Sequence, residues 1–189
     1  MSDRRTQIME AAVRVIAKDG VRGLRVEKLA AAAEVSTALI YYHFKDRAGI
    51  LHAALEHINH RAQSYTDETA ATDPRTRVLD MLLLELQDVD AVRENSVAWG
   101  ELRATAAFNA DLREPLRTTT EAWNTDIADL IGAAQASGTV AAAVDPAAAA
   151  ERLTALVEGL SERWHSGSLD LPRARRLLTG AVELELGAG

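Results

Sequence analysis

The run from Thr37 to Arg47, TALIYYHFKDR, gathers two tyrosines, a histidine, a phenylalanine and two basic residues in a chain that is only 4% aromatic. On a duplex of nucleic acid such a set has defined uses. A tyrosine hydroxyl or an imidazole donates to phosphate oxygens, and lysine or arginine neutralises them. Thr37 reaches phosphates or base edges, and Ala38 and Leu39 can touch thymine methyl groups. Ile40 and Phe44 are four residues apart, so on a helix they share a face. With Val35 they can bury against Leu29 and Ile16. Thr37, Ala38, Leu39, Tyr41 and His43 then point elsewhere, towards solvent or a ligand. Two readings stand for Tyr42: half core, packed on the first helix, or part of the contact face. Lys28 and Lys45 are either phosphate contacts or solvated charges.

The elements needed to position this run are helical. Ile8, Ala12, Val15 and Ile16 follow helical spacing and predict an amphipathic helix over about 4–18, ended by Asp19-Gly20. A short helix is expected over about 26–33. A break at Glu34-Val35-Ser36 follows, and Ser36 is a suitable N-cap for a third helix from Thr37 to Phe44. Asp46 can cap a fourth, reaching about Thr66. Two short helices joined by a tight turn, supported by an earlier helix, make a helix-turn-helix whose second helix reads the major groove.

This stretch, IMEAAVRVIAKDGVRGLRVEKLAAAAEVSTALIYYHFKDRAGILHAAL, resembles the N-terminal DNA-binding domain of TetR-family transcriptional regulators, over about residues 4–55. The most specific part is V-S-x-A-x-I-Y-Y-H-F-K-D-R. The resemblance implies phosphate contacts at Tyr41, His43 and Arg47 and a base-facing first turn at Thr37, Ala38 and Leu39. Departures from the family pattern are visible. Glu34 stands where glycine is common. Arg25 stands where a Ser/Thr cap often precedes the second helix, exchanging a cap for a phosphate contact. Glu27 occupies a position where some members place a base-reading arginine.

Beyond residue 60 the chain still reads as helix. Asp73-Pro74 and Asp145-Pro146 are cap-plus-proline starts, and a segment from about Arg93 to Ala107 is helical. A long helix is expected from Asn109 to about Ala136, with Pro115 able to kink it and Ser137-Gly138 stopping it. Leu171-Pro172 opens the last helix, and Gly187-Ala188-Gly189 is expected to fray. The fold class is therefore all-α: a three-helix helix-turn-helix domain over 1–50, and a helical ligand-binding and dimerisation domain over 51–189. Trp99, Arg103, Phe108, Trp123 and Asn124 lie on helices that, by the resemblance, wall an effector pocket. The other reading makes the tryptophans ordinary core and pairs Arg103 with Glu101 or Glu85. The tail LTALVEGLSERWHSGSLDLPRARRLLTGAVELEL looks like the dimer-forming end of the family, and is more weakly similar to its BetI-like subgroup. Its stripes, Leu153, Leu156, Val157 and Leu160, then Leu177, Leu178, Ala181, Val182 and Leu184, suit a four-helix dimer seam or an internal core.

Charge divides along the same line. Residues 1–50 carry nine Lys/Arg against six Asp/Glu, while the whole chain is −7. A basic module on an acidic body suits a polyanion partner for one part only. With no cysteine, disulfides and thiolate chemistry are excluded. His52, Glu56, His57 and His60 have partial metal-ligand spacing but lack a further convergent ligand, so no metal and no cofactor are expected. No nucleophile elbow, P-loop or dinucleotide fingerprint is present, and no enzyme is expected. No membrane span and no secretory signal are read, which places the protein in the cytoplasm. The function expected is a homodimeric repressor, released from a palindromic double-stranded DNA operator by a small-molecule effector. The alternative is a helical sensor or scaffold without sequence-specific DNA binding.

Overall fold

The computed structural model describes residues 4–66 and 73–187, and the regular structure among them is helical. The helices are α1 (Arg4–Gly23), α2 (Val26–Ala32), α3 (Thr37–Phe44), α4 (Arg47–Thr66), α5 (Pro74–Leu84), α6 (Asp90–Ala106), α7 (Arg113–Ala136), α8 (Pro146–His165) and α9 (Leu171–Leu186). A single 3-10 turn, Ala110–Leu112, precedes α7. Among the described residues, no helix is long and apolar enough to cross a membrane.

Local chemistry sets most boundaries. Asp73 accepts from the Thr76 amide at 2.8 Å, Asp145 from the Ala147 and Ala148 amides at 3.0 and 3.2 Å, and Asp170 from the Arg173 amide at 2.7 Å. Each satisfies amides that the helix leaves without partners, and each is followed by a proline in the first turn. Gly138 and Gly167 have positive φ just past the ends of α7 and α8. The regular part of α1 ends at Gly20, whose φ of 71° and ψ of 170° break the helix before one further turn to Gly23.

Three details depart from expectation. Asn109 caps the 3-10 turn, accepting from the Asp111 amide at 3.2 Å, rather than starting the long helix. α7 begins at Arg113, which leaves Pro115 in its first turn, where no intrahelical amide bond is lost. Glu34 adopts φ 53°, the left-handed conformation that a glycine would supply, so the turn keeps its geometry at a conformational cost. Of the end expected to fray, Gly187 is described, following α9 with φ 83°, and residues 188 and 189 lie outside the described residues.

The chain forms two compact units, Met1–Ala62 with Arg93–Thr118, and Gln63–Val92 with Thr119–Gly189. In the first, α1 packs on α2 and α2 on α3, around a core that includes Ile8, Ile16, Leu29, Ile40, Leu55 and Leu102. Asn95, buried in α6, donates its side-chain amide to the Ile58 carbonyl at 3.0 Å and ties α6 to α4. This unit is larger than the 1–50 segment singled out from sequence, because α4 and α6 share its core. In the second unit α5, α8 and α9 pack on one another, with Val78, Leu82, Ile127, Leu153, Val157 and Leu178 inside. Burying each such side chain stabilises by about 1.5–3 kcal/mol.

Two expectations follow. Glu34→Gly relieves a left-handed backbone at a side-chain-bearing residue, offset in part by a freer unfolded chain, and should raise stability by about 0.5–1 kcal/mol in denaturant unfolding. Burial first, and then the charge of Arg61, hold the His57 imidazole below its ordinary pKa. The unfolded chain therefore binds the proton more readily. Stability is complete above about pH 6.5 and falls as pH drops below it, a slope that His57→Gln should reduce in urea unfolding at stepped pH.

Candidate nucleic-acid interface

α3 is fixed at both ends and along one face. Ser36, in extended conformation, accepts from the Leu39 amide at 3.2 Å. Ile40 is fully buried and Phe44 nearly so, as their spacing required. The Arg5 guanidinium lies 5.7 Å from the centre of the Phe44 ring. After Phe44 the chain turns within one residue. Lys45 has φ 62° and ψ −58°, and the Asp46 amide donates back to the Phe44 carbonyl at 2.7 Å, a strained γ-turn. Asp46 then caps α4 by accepting from the Gly49 amide at 2.8 Å. A Cβ on Gly49 would lie 2.1 Å from the Phe44 oxygen, so only glycine permits this close approach.

The opposite side of α3 is open. Thr37 and Ala38 are exposed, and Leu39 and His43 are half-buried. Tyr41 is 51% exposed and Tyr42 82%. Tyr42 therefore does not pack as half core on α1. Its ring meets His43 edge to face, with centroids 5.2 Å apart. Lys45 is exposed just beyond the helix. The arrangement offers three hydroxyls, an imidazole and a small first turn from one eight-residue helix, with an ammonium just beyond its end.

The basic residues around it divide by engagement. Arg25 stands at the cap position of α2, exposed, and its side chain makes no capping bond. Lys28 is 2.8 Å from Asp19, so its charge is shared with an acid of α1. Arg47 is turned to the protein: Nη2 donates to the Val21 carbonyl at 2.6 Å and Nε to the Leu24 carbonyl at 3.4 Å. Those carbonyls lie in the turn between α1 and α2 and want donors, which draws the guanidinium inward.

The effector candidates are scattered in kind. Trp99 packs against the core of the first unit, and the Arg103 guanidinium lies 5.1 Å from its ring centre. Phe108 is 93% exposed and does not form the wall expected of it. It follows the end of α6, where the chain turns at Ala107 and its side chain has no core to enter. In the second unit Trp123 packs against the core, and the Asn124 side-chain oxygen accepts from the Thr154 hydroxyl at 2.7 Å. The α4 histidine group is drawn apart: His52 Nε2 is 2.8 Å from the Asp111 carbonyl oxygen, and Glu56 pairs with Arg5 at 3.7 Å.

Sequence reasoning missed two tertiary ties. Gln7 donates to the Ala33 carbonyl at 3.0 Å and fastens the end of α2 to α1. Glu101 accepts from the Val21 amide at 3.0 Å across 80 residues of chain. Neither has a local signature.

With this geometry in place, comparison with known proteins is direct. The family model described as bacterial regulatory proteins, tetR family, matches residues 8–54, and that of the BetI-type transcriptional repressor C-terminal region matches residues 74–187. A crystal structure of a TetR-family transcriptional regulator from Rhodococcus sp. superposes with a TM-score of 0.93 at 47% identity, covering 99% of this chain and 100% of that one. A transcriptional regulator from Saccharomonospora viridis in complex with choline gives 0.83 at 27% identity, covering 95% of each. The HTH-type transcriptional regulator BetI of Burkholderia ambifaria is 25% identical over 190 residues, spanning 98% of this chain and 95% of that protein. The second family model spans more than half of the chain. The chain thus belongs to the TetR family of transcriptional regulators, with a C-terminal region of BetI type, and is a regulator rather than an enzyme.

Proposed function

We propose that this regulator is a homodimeric repressor that leaves a palindromic operator when a small molecule binds. The observation that carries the reading is the division of α3, with Ile40 and Phe44 buried and Tyr41 and Tyr42 exposed. On this reading residues 1–50 dock on DNA. Thr37, Ala38 and Leu39 face the bases. Tyr41, Tyr42, His43 and Lys45 meet phosphates, with Arg25 and Lys28 at the margin. Arg47, exposed at the start of α4, holds the α1–α2 turn and presents its remaining donors to a phosphate. A two-fold pair places two such helices on two half-sites.

Residues 51–189 carry pairing and effector binding. α9 supports pairing: Leu178 and Val182 are spent in the core, whereas Leu177 and Leu184, seven residues apart, are exposed, Leu184 to 89%. Ala181 lies between them on the same face. The stripe serves both readings of the sequence at once, one side internal and one side outward. Effector contacts are assigned to Trp99 and Arg103, and separately to Trp123 and Asn124. The choline complex of the Saccharomonospora viridis protein makes a small quaternary ammonium the first effector to test. Such a cation is held by aromatic faces, and Arg103 already occupies the face of Trp99, which favours Trp123. The protein acts in the cytoplasm, where its DNA is.

Tyr41→Ala with His43→Ala should weaken binding to a duplex enriched by the wild-type protein by at least about 100-fold, with the helical circular dichroism unchanged. Wild-type-like binding would overturn the assignment. Affinity should also fall steeply with salt in anisotropy titrations, as counterions are released from the phosphates. Leu184→Glu buries a charge in the proposed seam and should convert dimer to monomer in light scattering at micromolar concentration. A monomeric wild-type protein would end that part of the reading.

A further inference from the structure

The turn between α1 and α2 is held from two sides by helices distant in sequence. From α6, Glu101 Oε2 accepts the Val21 amide at 3.0 Å. From the start of α4, Arg47 donates to the carbonyls of Val21 and Leu24. Val21 is thereby fixed to two other helices, by its amide to α6 and by its carbonyl to α4. Val21 and Leu24 are themselves buried, and the Leu24 amide closes the turn on the Val21 carbonyl at 3.2 Å. On its outer side the Asp19–Lys28 pair joins α1 to α2.

Gly20 belongs to this arrangement. Its φ of +71° disfavours any side chain, and a Cβ there would stand 2.8 Å from Glu101 Oε2. The carboxylate fills the space that a side chain at 20 would take. Glu101 is also the α6 residue whose carbonyl accepts the Thr105 hydroxyl at 2.7 Å, and it lies on the same helix as Trp99 and Arg103. From Arg47 the path to α3 is short, through the Asp46 cap and the γ-turn at Lys45. Every link is a directed hydrogen bond or a single rigid turn.

We infer that Glu101 is a positioning residue for operator recognition: by accepting the Val21 amide in the space left by Gly20, it sets α2 and α3 relative to α6. A carboxylate is suited to this because it takes a charge-assisted bond, and glutamate spans the distance with its backbone still in the helix. The inference rests on α3 docking on duplex DNA, and its test separates the two. Fluorescein-labelled duplex enriched by the wild-type protein from a random pool is compared with a scrambled duplex of equal length. Tyr41 and His43 touch phosphate, so their loss lowers binding to both. Glu101→Ala should weaken binding to the enriched duplex by about 10-fold or more and to the scrambled one by less than about 3-fold. Glu101→Gln, which keeps an acceptor, should recover most of the loss, and Gly20→Ala should reproduce it. Discrimination equal to wild type in a folded Glu101→Ala protein would overturn the inference, as would an equal loss on both duplexes. Hydrogen exchange of the Val21 amide in the wild-type protein gives a second measure that needs no variant. Slow exchange, free and duplex-bound, is expected, and fast exchange in the bound protein would also overturn it.

Discussion

The burial of Ile40 and Phe44 beneath α3 is the constraint from which the proposed DNA-binding surface follows. A helix of eight residues is too short to persist on propensity alone. It forms because Ser36 satisfies its first turn and because two large side chains on one face enter the core that holds Ile8, Ile16 and Leu29. Once that face is committed, the helix has no rotational freedom left. Whatever occupies positions 37, 38, 41 and 42 must be presented outward. The composition of that outward face, aromatic hydroxyls and small residues beside a lysine, suits a nucleic-acid duplex.

The close connection between α3 and α4 carries the same logic. Lys45 accepts a left-handed backbone, and Gly49 gives up its side chain, so that the Phe44 carbonyl can turn back on the chain. Glu34 likewise holds an unfavourable φ in the preceding turn. Strain on both sides of a short helix persists only where the surrounding packing over-determines it. Here the packing is the buried ridge itself.

Much of this was legible in the sequence, where the signals are local. Asp73, Asp145 and Ser36 reach amides within three residues, so their neighbours suffice to identify them. The Ile40–Phe44 ridge and the open face around Tyr41 follow from helical periodicity. The stop at Gly20 was readable as a break, but not the reason for it, because the occupant of its missing side chain comes from α6. Arg47 was assigned to phosphate by the family resemblance; the two carbonyls it also holds lie in a turn that only the tertiary arrangement brings near. Phe108 was placed on a pocket wall by the family resemblance, and half core was one of two readings left open for Tyr42. Size and apolarity predict burial only where a core is within reach, and neither position has one.

The exposure of Tyr41 and Tyr42 bears on how quickly the protein finds its target. On the proposed reading, the docking face is already exposed and held in place by the core, so little has to be ordered before contact. Encounter is then governed by diffusion, orientation and the charge around α3, and little of the docking free energy is lost to rearrangement. The same bareness makes such a surface adhesive towards any polyanion. On the same reading, the chain's net charge of −7 disfavours contact with nucleic acid outside the basic N-terminal segment.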